Sequence, residues 1–338
     1  MEYPPHPSSR IVSLLPAATE IVAALGLQTH LVGRSHECDE PADVASLPAL
    51  TAARIDASAP SRTIHEQVEQ VGRALAATAP QPAAGAACTT GGSAALYSLD
   101  IDTLAALKPD LILTQAACDV CAISAADVEA AVRKAAVDTR VLALSPATLA
   151  DLFSDILAVG KATGRLAQAR ELVARLRARI ASLACRVQAM AERDRRLSPR
   201  VAVIEWLDPP MAAGNWVPEM VRLAGGVDVL GKAGDHSHWI SWDDVAAADP
   251  DVVILVPCGF PLDRVVIEAG SLAVRPHLER LRASREGRVF AIDGHNLFNR
   301  PGPRLVDSLE VLADLLHPGQ FVFAATRRFA KRLAPGNA

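Results

Sequence analysis

Aromatic side chains are scarce in this chain. They make up 4% of its 338 residues, as four Trp, two Tyr and seven Phe, so any strand end that gathers two of them carries weight. Cysteine is sparse too. Six are too few for a disulfide framework, and two of them, Cys118 and Cys121, form a CxxC that suits a reducing compartment or a ligand role better than structural bridges. No apolar run reaches the ~18 residues of a membrane span, so a membrane-spanning protein is not expected. Lys and Arg number 34 against 38 Asp and Glu, a net charge of -4, and no basic block resembles a nucleic-acid footprint; nucleic acid is not expected as a partner. Ser–His–Asp signatures, HExxH, P-loop and GxGxxG are all missing, so an enzyme would have to depend on its thiols. The opening "MEYPPHPSSR" has no basic segment followed by an apolar one. By that reading the protein is cytoplasmic, or periplasmic where a leader has been removed.

What is present is ample core. Half of the residues are hydrophobic and 21% are charged, enough for two folded lobes of roughly 100–150 residues each. Short β-rich runs each lead into a helical pattern: "RIVSLL" into "AATEIVAALG", "PDLILTQ" into "SAADVEAAVRKA", "RVLAL" into "TLADLFSDILAVGKATG". Such alternation predicts parallel strands with crossover helices. Residues 48–96 interrupt the pattern, and the Ala-, Gly-, Pro- and Thr-rich stretch within them reads as a surface insert at about 73–95. From Arg165 to Arg196 apolar residues recur at helical spacing among arginines, without Gly or Pro, predicting a rod of roughly 45 Å. A second α/β unit then begins at "RVAVIEW". The expected organisation is a first α/β lobe at 9–147, a connecting segment at 148–198 holding the long helix, a second lobe at 199–317 and a tail at 318–338.

The order of these phrases resembles a known family. "RIVSLLPAATEIVAALGLQTHLVGRS", "LDIDTLAALKPDLILTQ", the long helix, "GNWVPEMVRLAGGVDVLG" and "SWDDVAAADPDVVIL" follow the pattern of the helical-backbone substrate-binding proteins that serve ABC importers of cobalamin, haem and iron chelates. Among these the chain is most similar to the cobalamin-binding members. The resemblance implies two α/β lobes with parallel sheets joined by one long backbone helix, and a ligand cleft between the lobes. It also implies a non-catalytic function: binding of cobalamin or a related corrinoid or tetrapyrrole for uptake, carriage or salvage. Ligands of open α/β sheets bind beyond the carboxyl ends of the strands, where the candidate residues fall.

Pro16 and Ala17 turn strand one into a helix whose first N–H groups are available to amide or phosphate oxygens. A flat macrocycle needs aromatic faces and apolar walls; Trp206 ends "RVAVIEW" and Trp216 opens "WVPEMV", where it also suits a core position. In the cobalamin-binding relatives the loop matching "DGHNLFNRPGPR" carries an aromatic and a polar-charged pair, and Phe298, Asn296 and Arg300 occupy those positions, Asn296 standing where the family has an acid. Glu37, Tyr97 and Gln115 complete the candidate ligand-contact set.

His36 and Cys38, with Cys118 and Cys121, come from two strand-end loops of one lobe. Together they offer a His–Cys–Cys–Cys set of the kind that holds tetrahedral zinc. The alternatives are coordination of the ligand's cobalt, or buried thiols that act as small hydrophobes. A zinc-thiolate enzyme or metal-ion-binding protein built on these four is the second functional reading, and His236, His238 and His295 are secondary metal candidates. Family members dock onto a permease through acids on each lobe; Asp102 and Asp243 correspond here, each at a helix start where a carboxylate is favoured by the helix dipole alone. A cytoplasmic location would remove the permease and leave a soluble corrinoid carrier.

Overall fold

The first strand is buried at every position. Ile11–Ser13 (β1) lies between Leu31–Arg34 (β2) and Leu111–Gln115 (β5), both parallel to it, which is the placement that demands an unbroken apolar run. The structure, a computed structural model, describes residues 10–78, 96–116, 125–135, 138–193 and 198–334. The chain divides into two units: 1–59, 63–146 and 153–173 form one, and 60–62, 147–152 and 174–338 the other.

In the first unit β1 leads into Pro16–Ala24 (α1), which starts on proline, a residue pre-set for the first helical turn. After β2 the chain forms Thr51–Ala53 (β3), Ser61–Thr78 (α2) and Tyr97–Leu99 (β4), with β3 and β4 paired antiparallel. Part of the expected insert, 73–78, is therefore helical; 79–95 lie outside the described residues. Ile101–Leu107 (α3), β5, Ala125–Ala135 (α4), Arg140–Leu144 (β6) and Leu149–Ala162 (α5) complete the series. The sheet order is β2-β1-β5-β6, all parallel.

Leu166–Arg193 (α6) is the long helix, 28 residues and about 42 Å at 1.5 Å per residue. It carries the chain from one unit into the other. Leu172, Val173, Leu176, Leu183 and Val187 form its buried stripe. Beyond it, Arg200–Leu207 (β7) pairs with Pro210–Ala212 (β8) as a hairpin, followed by Val217–Leu223 (α7), Val227–Asp228 (β9), His238–Trp239 (β10), Trp242–Ala248 (α8) and Val252–Leu255 (β11). Leu262–Ala269 (α9), Arg275–Arg280 (α10), Arg282–Arg285 (α11), Val289–Ile292 (β12), Leu305–Leu316 (α12), Ala324–Phe329 (α13) and Ala330–Leu333 (β13) follow. The sheet order is β10-β8-β7-β11-β12-β13, with β9 also against β7. Its centre is parallel as expected, but the hairpin partner β8, β10 and the edge strand β13 are antiparallel. β8 turns back from β7 through a tight hairpin, whereas β13 reaches the edge only after α12 and α13. Residues 318–334, expected as a tail, supply α13 and β13. Among the described residues no helix is long and apolar enough to cross a membrane.

The two units are built on one local device. "KPD" and "DPD" follow α3 and α8, whose C-caps Lys108 and Asp249 are left-handed at φ 46 and φ 40. Proline prevents the helix from continuing, and the next aspartate turns back on the first strand of its sheet: Arg10 N–H donates to Asp110 Oδ2 at 2.7 Å and Arg200 N–H to Asp251 Oδ2 at 2.7 Å. Each arginine side chain in turn donates to a carbonyl at the end of the helix, Leu107 O at 2.8 Å and Ala248 O at 2.8 Å. The same chemistry registers helix, turn and strand in both units.

His317, at the end of α12, is buried and its Nε2 is 2.8 Å from Ala224 O. A carbonyl only accepts, so Nε2 carries the proton. The adjoining Gly225, at φ +87, has no room for a Cβ, which would come within 2.7 Å of Val187 Cγ1 and 2.8 Å of His317 Nε2. Burial holds the ring's pKa below its ordinary 6.5, against the Ala224 hydrogen bond and helped by the charge of Arg288. A lowered folded pKa means that this stabilisation is intact above the unfolded value and is lost as pH falls through the folded one. His317→Gln keeps an N–H for Ala224 O and takes up no proton. Denaturant melts from pH 8 to pH 5 should therefore show a shallower acid loss in the variant, the difference bounded by about 1.4 kcal/mol for each pH unit crossed.

Candidate functional site

All four strands of the first sheet end on the same edge, and the order reverses between β1 and β5. That switch point is where open α/β sheets take ligands. Pro16 and Ala17 leave β1 there, Pro16 half-buried and Ala17 buried, while Gln115 closes β5 and is buried. At the end of β2 the backbone N–H of His36 reaches Thr51 Oγ1 at 3.1 Å, and its Nδ1 lies 2.7 Å from the same oxygen. The Thr51 hydroxyl donates onward to Ser35 Oγ at 2.9 Å, so imidazole, Thr51 and Ser35 form one chain of polar contacts. Nε2 approaches Glu37 Oε1 at 3.3 Å without the alignment of a hydrogen bond. The imidazole lies against the ring of Tyr97, centroids 5.5 Å apart. His36, Glu37 and Tyr97 thus form one half-exposed group held by the β3–β4 ribbon.

Cys38 does not join them. It is 1% exposed, its Sγ accepts from Thr19 Oγ1 at 3.0 Å, and the same hydroxyl is 2.8 Å from Ser13 Oγ. Of the four expected metal ligands, His36 is tied to β3 and Cys38 to the β1–α1 turn, so these two have different partners. Cys118 and Cys121 lie outside the described residues. Among the described residues no three His, Cys, Asp or Glu side chains gather as a metal site. A thiol reagent followed by site-resolved mass spectrometry should modify exposed Cys185 in the native protein and Cys38 slower by orders of magnitude, since labelling of Cys38 requires local opening.

In the second unit Trp206, near the end of β7, packs edge-on against Phe260, centroids 5.3 Å apart and planes at 64°. The Arg264 guanidinium lies 3.5 Å over the other ring. Trp206 Nε1 is buried with no hydrogen-bond partner. Phe260 belongs to the turn that follows β11, and this aromatic ledge is the element that the sequence reading missed. "PCGFPLDR" after an apolar strand is the same signal that singled out Trp206.

The loop after β12 is held from inside. The buried Asp293 carboxylate accepts from His295 N–H at 3.1 Å, Asn296 N–H at 2.8 Å and Asn296 Nδ2 at 3.2 Å. Arg304 donates to Asn296 Oδ1 at 3.3 Å, and Arg300 Nη2 lies 3.0 Å from His295 Nε2. Asn299 donates to Val256 O at 3.1 Å and Gly294 O at 3.0 Å. Gly294 is required there, since a Cβ would fall 2.1 Å from Pro257 O. Two expected ligand contacts are corrected. Phe298 is fully buried at φ 65, its N–H donating to Ser308 Oγ at 2.9 Å. Trp216 is buried beneath it, Nε1 donating to Phe298 O at 2.7 Å. Apolar area and the indole N–H are both satisfied inside the unit, which leaves neither side chain for a ligand. Asn296 is half-buried and Arg300 is 8% exposed. His295 is engaged with Arg300, and among the described residues His236 and His238 join no metal group.

Asp102 and Asp243 stand exposed in the first turns of α3 and α8, behind the N-caps Asp100 and Ser241. Asp243 Oδ1 pairs with Arg280 Nη2 at 3.0 Å across the surface.

A family model described as periplasmic binding protein matches residues 11–295. The chain is 22% identical over 315 residues to an uncharacterised ABC transporter substrate-binding lipoprotein of Bacillus subtilis, covering 92% of this chain and 81% of the relative. Among solved structures it is similar to the periplasmic vitamin B12 binding protein of Vibrio cholerae, with a TM-score of 0.63 and 20% identity over 92% of this chain and 98% of the other. It is similar also to a periplasmic heme binding protein from Pseudomonas aeruginosa, with a TM-score of 0.66 and 22% identity over 96% and 95%.

Proposed function

The chain belongs to the periplasmic binding protein family, and on that premise we propose that it captures cobalamin or a related corrinoid or tetrapyrrole for an ABC importer. The protein is a substrate-binding protein and not an enzyme. Its place of work, in this reading, is outside the cytoplasmic membrane, as for its lipoprotein relative, and not the cytoplasm that the opening residues alone suggested. Asp102 and Asp243 are the proposed permease-facing carboxylates.

One observation carries the ligand class. In a chain with 4% aromatic residues, two half-buried rings stand near strand ends, Tyr97 beside the His36 imidazole in one unit and Trp206 braced by the buried Phe260 in the other. Aromatic faces with few fixed polar groups suit a large flat macrocycle better than a bare ion or a small sugar. The divergence of His36 and Cys38 gives the zinc-thiolate alternative no support. Haem is the second reading, in keeping with the solved heme binding protein that the chain resembles.

Competition decides between them. The purified chain is offered equimolar cyanocobalamin, haem and a ferric siderophore, then examined by native mass spectrometry. Retention of one cobalamin per chain is expected. Retention of haem alone favours the second reading, and retention of the siderophore alone overturns both.

A further inference from the structure

The C-terminal part of the second unit carries a charge opposite to that of the whole. Arg327 and Arg328 on α13, and Lys331 and Arg332 on β13, are all exposed within six residues. No acidic residue occurs between Pro318 and Ala334. Among the described residues none of the four has an ion pair: Arg328 stacks over Phe329 at 4.7 Å and Arg332 over Phe290 at 5.7 Å, contacts that neutralise neither charge. On α12, which packs against α13, the carboxylates are already engaged, Asp307 and Glu310 with Arg179 at 2.7 Å each and Asp314 with the Phe323 N–H at 3.1 Å. The chain is -4 with these four cations, hence -8 without them.

We propose that this strip is a docking surface for an anionic phospholipid bilayer. The rest of the chain is net acidic, so the charge asymmetry favours approach to such a surface through this strip. Val322, 71% exposed beside the strip, adds an apolar contact. Protection of a sheet edge is the competing explanation, since β13 is the edge strand and Lys or Arg there discourages strand addition. That explanation covers Lys331 and Arg332. It leaves Arg327 and Arg328, which are on a helix, without a role.

The full chain is cosedimented with vesicles of phosphatidylcholine alone or of phosphatidylcholine with phosphatidylglycerol, at low and high salt. Binding is expected on the phosphatidylglycerol vesicles only, and is expected to fall steeply with salt. At about fivefold per basic side chain, R327Q/R328Q should lower the partition coefficient roughly thirtyfold, and K331Q/R332Q by a similar factor. Both pairs are exposed, and an unchanged melting curve checks that the variants fold. R170Q/R175Q, on the exposed face of α6, should leave partition unchanged. No binding to phosphatidylglycerol vesicles overturns the assignment. So does an equal loss in R170Q/R175Q, or full binding by R327Q/R328Q.

Discussion

Trp216→Ala should destabilise the second unit by about 3–5 kcal/mol, the cost of deleting a buried indole from a packed interior. The ring is 9% exposed at the start of α7, and it closes a polar contact as well as filling space. Its Nε1 is the donor to Phe298 O at 2.7 Å, and Phe298 holds a left-handed backbone at φ 65 that an L-residue adopts only when its surroundings impose it. Removing the indole leaves a cavity and a buried carbonyl without a donor, beneath the loop that carries Asn296 and Arg300. Differential scanning calorimetry should show the transition of this unit fall by roughly 10 °C. Trp216→Phe retains most of the volume and loses only the donor, so it should cost less, about 1–3 kcal/mol. Equal melting of wild type and Trp216→Ala would mean that the loop does not depend on this anchor.

Trp206→Ala should do the reverse. Its ring is partly exposed, so the loss of stability should be small, while affinity for the macrocycle should fall by about 1–3 kcal/mol, roughly 5- to 150-fold. Trp206→Phe separates two contributions. Nε1 has no partner in the free protein; if the ligand supplies an acceptor to it, phenylalanine loses that bond as well as some ring area and falls near alanine. If the ring face alone matters, phenylalanine stays near wild type. Titration of the three proteins by fluorescence or calorimetry distinguishes these outcomes, and full affinity in Trp206→Ala would remove this ledge from the site.

Architecture was legible wherever chemistry repeats locally. "LKPD" and "ADPD" each contain a helix end, a proline stop and a carboxylate within five residues, and both units use them in the same way. The long helix was legible because its apolar stripe is uninterrupted. The last strand was not, because β13 is short, basic and half-exposed, and pairs with β12 across a long connection that holds both α12 and α13. Sequence spacing was a weaker guide to the site. Phe298 looks like a displayed aromatic in its loop, but backbone geometry that no spacing encodes turns it into the core. His36 and Cys38 are adjacent enough to share a metal, and which way each points was settled by Thr51 and Thr19, 15 and 19 positions away in the chain. Phe260, by contrast, obeyed the same strand-end rule as Trp206.

The most direct test of the central claim is equilibrium dialysis of the full chain against cyanocobalamin and, separately, haem, with the bound ligand followed by its visible spectrum. Saturation at one macrocycle per chain, weakened by Trp206→Ala and not by the exposed variant R170Q/R175Q, is the expected result. Retention of neither macrocycle by protein that is folded by calorimetry would contradict it.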